Sequence, residues 1–398
     1  MASGSRWASH WTLDPEINFL NHGSFGACPR AVLEVQSRWR ARLEREPVRF
    51  MARELEGLLD TARASLADFV GCDAQDLVFV QNATMGVNSV LRAFPFEPGD
   101  ELLVTDHAYA ACRNALDFVA TERGARVVVA HVPFPGVTSD VVVERVLAAI
   151  TERTRVLLLD HITSPTGLVF PVQRIVPEAE RRGVHTLVDG AHAPGQVHVD
   201  IRALAPSFYT ANCHKWLCAP KGAAFLYVRR DLQAIIRPLI VSHAATSKRT
   251  DRSRYLQEFD WTGTGDPTAW LTVPDAITTM GGLLPGGWDA VRAHNRALAL
   301  EARRILCDAL QVAPPAPDDM VGSLAAIPLP DARGAVAASP LDTEPLQAAL
   351  FEQHRIEVPV WPWPVAPKRH VRIAAQLYNE RAQYERLAAA LVTELRST

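Results

Sequence analysis

The sequence predicts an α/β fold, a mostly parallel sheet with helices on both faces, followed by a smaller α+β domain. Three observations carry that prediction. Short apolar runs alternate with helical stretches as far as Val228, the signature of strands joined by helical crossovers in a parallel sheet. The runs are apolar without interruption rather than alternating, which suits a sheet covered on both faces. Beyond Val228 the alternation stops, and a long helical region and a Pro-rich connector, Ala313 to Asp319, precede further short strands and helices. The 398 residues exceed one ordinary core, and a 48% hydrophobic content is ample for two.

In chain order, residues 1–20 read as an irregular arm ending in a short strand, Ile17 to Leu20. The hexapeptide Asn21-His22-Gly23-Ser24-Phe25-Gly26 reads as a turn able to approach a ligand closely. Pro29 opens a helix to about Arg45, and an amphipathic helix from Arg49 to Val70 places Leu55, Leu58, Leu59, Ala62, Leu66 and Phe69 on one face. Strands are predicted at Leu77–Val80, from Glu101 toward Tyr109, from Arg126, at Arg155–Asp160, Val184–Val188, Phe208–Ala211 and Ala223–Val228, with helices at Asp140–Ile150 and Pro171–Gly183. Gln81 to Asn88 joins a strand to a helix through small residues, with Thr84 as a candidate cap. Such a turn gathers free N–H groups and binds phosphate.

Arg254 to Pro267 reads as a polar, aromatic loop, followed by helices at Thr268–Met280 and Trp288–Leu310. The last third supplies strands at Gly322–Leu329 and His370–Ala374 and helices at Glu344–His354 and Glu380–Leu395. The expected division is 1–46, an arm and helix packing back on the small domain; 47–267, the large domain; and 268–398, the small domain.

A net charge of −3, from 41 basic and 44 acidic residues, gives no sign of a nucleic-acid or membrane partner. The six cysteines are scattered without a Cys-x-x-Cys pair, as in a reducing cytosol, and the N-terminus lacks a secretory apolar region. A cytoplasmic protein is expected.

Chemistry concentrates between Leu157 and Lys215. Asp189 ends an apolar run, and a carboxylate there needs a positive partner. Lys215 sits among Cys213, His214, Trp216 and Leu217, where burial would lower its pKa toward that of a nucleophile. An acid to hold a pyridinium nitrogen and a lysine to form a Schiff base are what pyridoxal 5'-phosphate (PLP) requires.

The segments Asn21–Gly26, Ser164-Pro-Thr-Gly167, Val188-Asp-Gly-Ala-His-Ala-Pro-Gly195 and Asn212-Cys-His-Lys-Trp216 resemble the class V aminotransferase group of fold-type-I PLP enzymes, most nearly its isopenicillin N epimerase branch. They also resemble the C–S lyases of ergothioneine pathways. The resemblance runs from about Leu20 to Arg372. It implies a mostly parallel seven-strand sheet, PLP as cofactor and a homodimer with shared active sites. By the same resemblance Lys215 carries the Schiff base, Asp189 meets the ring nitrogen, and His192 and Ser164 meet the ring hydroxyl. His107 stacks on the ring with Tyr109 as rival or helper, Ala83 and Thr84 hold phosphate, and Asn212 and His214 complete the cup. Thr264 reaches the neighbouring subunit's phosphate, and Arg372, assisted by Asn21, grips the α-carboxylate of a small amino acid substrate. Cysteine desulfurases of the group carry a cysteine shortly before the terminal arginine, and none follows Cys307 here. Trp361 and Trp363 occupy that region and suggest an aromatic wall. Cα-proton abstraction is shared by the readings that remain: epimerisation first, then C–S lysis or transamination. A non-catalytic binding protein of the same fold is the reading from another class.

Overall fold

The computed structural model describes residues 5–332 and 343–397, so the first four residues of the arm lie outside it. Twelve strands are formed among the described residues: β1 (Asn18–Phe19), β2 (Leu77–Val80), β3 (Glu101–Thr105), β4 (Arg126–Ala130), β5 (Thr154–Asp160), β6 (His185–Asp189), β7 (Phe208–Asn212), β8 (Ala224–Val228), β9 (Leu324–Leu329), β10 (Ile356–Glu357), β11 (Val360–Pro362) and β12 (Arg369–Ala374). Seven build the main sheet in the order β2-β8-β7-β6-β5-β3-β4. β8 runs antiparallel to both neighbours and the remaining pairs are parallel.

The apolar runs serve two cores at once because successive side chains leave a strand on opposite faces. On β5, Leu157 and Leu159 join one cluster, while Val156 and Leu158 join the other. β6 divides the same way, Val188 to the first and Leu187 to the second. A third cluster belongs to the smaller lobe, where the antiparallel sheet β11-β12-β9 packs with the helices Gly287–Leu310, Pro345–His354 and Arg381–Ser397.

The arm returns to this lobe through β1, which pairs in parallel with β10. The helix Arg30–Arg45 contacts the helices Thr268–Leu271 and Val273–Gly281. Val32, Ala269, Leu271, Val273 and Ala276 belong to the large first cluster.

Three local expectations are corrected. The predicted loop beginning at Arg254 opens with a helix, Arg254–Asp260, capped by the Ser253 hydroxyl. Tyr255, Leu256 and Phe259 bury one face of it beneath a run of charges that obscured the pattern. The stretch Val360 to Pro364, whose Trp-Pro pairs read from sequence as a rigid loop, contains β11, and Pro362 is tolerated there because β11 is an edge strand. The cap of the helix Ala83–Ala93 is Asn82, whose Oδ1 accepts from the Met85 N–H at 2.8 Å, and not Thr84.

Candidate active site

Parallel strands deliver their C-terminal ends to one rim of the sheet, where ligands gather in open α/β folds. β5 and β6 end in register on Asp160 and Asp189, and the chain beyond β7 reaches Lys215. A cavity of about 890 Å³ opens there. Ala83, Thr84, Tyr109, Ser164, Asp189, His192, Asn212, His214, Lys215 and Thr264 all line it.

Lys215 is half-buried, and its Nζ lies 3.1 Å from Nε2 of His192. Burial first, then the nearby Arg372 guanidinium, lower its pKa to about 8, against the opposing pull of Asp189. The His192 Nδ1 accepts from the Trp216 indole N–H at 3.3 Å, and burial holds the His192 ring well below the usual histidine range. The backbone of Lys215 is clamped from below. His22 Nε2 contacts the Lys215 carbonyl at 3.1 Å while its Nδ1 meets the Tyr378 hydroxyl at 2.8 Å. Gly26, at φ +70°, lies so close that a Cβ there would fall 2.2 Å from the His214 carbonyl oxygen and 2.9 Å from the Lys215 Cα. The hexapeptide is thus a short helical turn, His22–Phe25, seated against the lysine loop.

Asp189 accepts from the Ala191 N–H at 2.9 Å and from the Cys112 thiol at 3.3 Å. Among the described residues it forms no salt bridge, and burial pushes its carboxyl up. Asp160 beside it is pushed well up by burial and then by Asp189, and its Oδ2 has no hydrogen-bond partner among the described residues. At the opposite rim the helix Ala83–Ala93 presents its N-terminus, and the Ala83 N–H donates to Asn212 Oδ1 at 2.9 Å. His214 Nδ1 donates to the Ala223 carbonyl at 3.0 Å, and burial lowers that ring to about 4.

Arg372 stands behind Ser164 on β12. Its Nη1 donates to the Ser164 carbonyl at 2.5 Å, its Nη2 to the Ser24 hydroxyl at 3.3 Å, and its guanidinium lies 4.7 Å from the Trp361 ring centre. No acid pairs with it among the described residues, and burial lowers its pKa to about 9. A buried guanidinium without a counter-charge is costly unless an anion joins it.

The family model "Aminotransferase class-V" matches residues 27–387. The chain belongs to the class V aminotransferase family. Isopenicillin N epimerase of Amycolatopsis lactamdurans is 37% identical over 96% of this chain and 96% of its own. A probable L-cysteine desulfhydrase of Arabidopsis thaliana is 31% identical over 95% and 83%. Among solved structures, a C-DES mutant with glycine covalently linked to the PLP cofactor matches with a TM-score of 0.77 at 21% identity, covering 94% of this chain and 96% of that one. The fold is that of the fold-type-I PLP enzymes, and this class V member is a PLP enzyme.

The residues present fit that cofactor. Asp189 is a buried carboxylate lacking a cation, which a protonated pyridine nitrogen supplies. A helix N-terminus with the Thr84 hydroxyl stands ready for phosphate, and the Lys215 amine shares the cavity.

The class V chain departs from its sequence reading at His107. That ring is fully buried behind the cavity, its Nδ1 2.7 Å from the Thr166 hydroxyl and its Nε2 2.9 Å from the Val132 carbonyl. Of His107 and its neighbour Tyr109, it is Tyr109 that lines the cavity. Asn21 does not line it either, and reaches Arg372 only through Ser24, whose hydroxyl donates to Asn21 Oδ1 at 2.6 Å. Thr264 is exposed on the rim of its own chain's cavity. Ser24, His22, Trp216 and Asp160 carry no role in the sequence expectations. The first three stand inside the quoted motifs, which were the available signal, and Asp160 ends the predicted strand Arg155–Asp160.

Proposed function

We propose that this enzyme removes the Cα proton of an amino acid group carried on a larger substrate and returns a proton to the opposite face, as an isopenicillin N epimerase-like catalyst. The observation that carries the reading is one cavity shared by a half-buried amine, Lys215, and Ser164, behind which stands a buried guanidinium, Arg372, without an acidic partner among the described residues. PLP, when bound, supplies the sink for the electron pair that the departing proton leaves. Asp189 would hold the pyridine nitrogen protonated, and the Ala83–Thr84 helix terminus, Asn212 and His214 would receive the phosphate end. Ser164 and His192 would hold the ring hydroxyl in this reading.

Arg372 binds the α-carboxylate through two parallel hydrogen bonds and so fixes the Cα–H bond relative to Lys215. Lys215, with a pKa of about 8, exchanges a proton at Nζ near neutral pH. The Tyr109 phenol is raised by burial, so it carries its proton at neutral pH and is suited to donate from the other face. C–S lysis is the second reading, supported by the desulfhydrase relative. Two copies sharing their sites belong to the same proposal. Phe25 and Ile240 are exposed apolar side chains at the cavity and would be covered by a second subunit, with Thr264 reaching across. No helix among the described residues is long and apolar enough to cross a membrane, in keeping with a proposed cytoplasmic site of action.

The test is incubation of PLP-loaded enzyme with penicillin-type and sulfur-containing amino acids in deuterated water. Deuterium at Cα with inverted configuration and an intact substrate supports epimerisation. Pyruvate with a released sulfur product replaces that reading by the lyase. Transfer of the amino group to the cofactor replaces both by transamination, and neither exchange nor product with any substrate refutes the enzymatic readings together.

A further inference from the structure

Trp216 and His192 form a chain of two contacts that ends on the Lys215 amine. The indole Nε1 is 3.3 Å from His192 Nδ1, and His192 Nε2 is 3.1 Å from Lys215 Nζ. An indole N–H only donates. The Nδ1 it reaches must therefore carry a lone pair, and a neutral imidazole with its lone pair on Nδ1 carries its hydrogen on Nε2. That hydrogen points at Nζ. An ammonium has no lone pair to receive it, whereas a neutral amine has one.

We propose that Trp216 is a positioning residue that fixes the Nε2–H tautomer of His192 and thereby holds Lys215 as the free amine, the form able to capture the cofactor's aldehyde.

Both rings are built into place for this. Trp216 is 1% exposed and His192 1% exposed, so neither finds water as an alternative partner. The Trp216 ring also packs 4.8 Å from that of His22, which secures the Lys215 carbonyl, so one indole braces both ends of the lysine. The other groups facing Nζ do not act alike. Arg372 opposes its ammonium form, Asp189 and Cys112 favour it, and Tyr109 and His214 share the cavity wall. In the opposite tautomer, His192 would turn a lone pair toward Nζ and accept from an ammonium. The Trp216 N–H forbids that arrangement, because it would then face an N–H with no acceptor.

The inference rests on PLP as cofactor and not on the reaction proposed above, so its test avoids turnover. The full-length chain is freed of cofactor, and its rate of PLP capture is followed from pH 6 to 10. Free Lys215 amine is the reacting form, so the profile reports its ionisation. Trp216→Phe is expected to move the midpoint upward by about one unit and to slow capture roughly tenfold at pH 7, with little change above the midpoint. A uniform slowing at every pH, or no change, overturns the proposal, the first because it reports a merely structural role. In a His192→Ala background Trp216→Phe should add no shift, and a further shift there would show an action on Lys215 that bypasses His192. Should Trp216→Phe fail to fold, nitrogen-15 spectra of the histidine rings in the unsubstituted chain decide the matter. An Nε2–H tautomer for His192 is expected, and an Nδ1–H ring or an imidazolium at pH 7 overturns the assignment.

Discussion

Gly26→Ala is the substitution by which the packing beneath Lys215 is best tested. Gly26 has φ +70° and ψ 166°, a region almost closed to residues with a Cβ, at a cost of about 1–3 kcal/mol. The added methyl would also stand 2.2 Å from the His214 carbonyl oxygen, 2.9 Å from the Lys215 Cα and 3.0 Å from the Lys215 carbonyl oxygen. All three belong to backbone that cannot swing aside like a side chain, and overpacking of that kind adds about 1–3 kcal/mol. The combined penalty, roughly 2–6 kcal/mol, is a large share of the ~5–15 kcal/mol that stabilises an ordinary domain. Part of it should appear as displacement of the lysine loop. Thermal unfolding and PLP capture by the full-length chain are therefore measured together, with Gly57→Ala as control. Gly57 lies in the helix Leu55–Val70 with nothing within 4 Å of its ideal Cβ, so alanine there should stabilise by about 0.5–1 kcal/mol. Gly26→Ala should lower the unfolding temperature and impair capture. A variant that melts and captures PLP like the parent would refute the clamp and return the hexapeptide to an ordinary surface turn.

Three further outcomes are expected. Arg372→Lys keeps the charge but loses the paired geometry and the donors to Ser164 and Ser24, so KM for the amino acid should rise roughly tenfold to a hundredfold, an unchanged KM placing the carboxylate elsewhere. Asp189→Asn preserves shape without charge. It should slow Cα deuterium exchange about 10- to 1000-fold, in line with the 1–3 pKa units an adjacent opposite charge confers, and parental exchange would deny Asp189 the nitrogen. Burial lowers His22 to about 3, His161 to about 4 and His370 to about 3. Each is neutral in the fold and gains a proton on unfolding below its ordinary value of 6.5, so stability present above pH 6.5 is lost as pH falls. The loss is about 2 kcal/mol each at pH 5, hence about 6 together. Denaturant titrations should show stability declining steeply between pH 6.5 and 4, and a flat profile there would mean that these rings are charged in the fold.

What was legible in the sequence follows from how local each cause is. Asp189 and Lys215 announce themselves because a carboxylate after an apolar strand and a lysine among apolar neighbours each need an explanation within a few residues. Asp160 lay in plain sight at the end of Leu157-Leu-Leu-Asp160. Only the parallel register that sets it beside Asp189 distinguishes it from any acid at a strand end. His107 and Tyr109 were not separable because β3 ends at Thr105, and beyond a strand's end the two-residue alternation no longer says which side chain faces the cavity. Gly26 needs Lys215, and Ser24 needs Arg372, partners far along the chain that the fold alone brings together. The helix Arg254–Asp260 was hidden differently, because its buried face combines Tyr255, Leu256 and Phe259 with an acid, Glu258, whose partner Arg237 comes from outside the helix.

The cysteines narrow where any sulfur chemistry could occur. A persulfide carrier needs a thiol that ionises and reaches the substrate, and thiols do so where positive charge or exposure lowers their pKa. All six cysteines here are buried. Burial pushes Cys28 and Cys72 up to about 12 and raises Cys112, Cys213, Cys218 and Cys307 as well. Cys112 comes nearest the reacting groups, yet its hydrogen bond to Asp189 and the negative charge of that carboxylate both favour the protonated thiol. The stretch before Arg372 offers Trp361 over the guanidinium in place of a cysteine. Sulfur that leaves Cβ in this cavity would thus depart as a free product and not on the protein. A cavity without an exposed thiol suits a site whose proposed reaction returns the proton and leaves every other bond of the substrate in place.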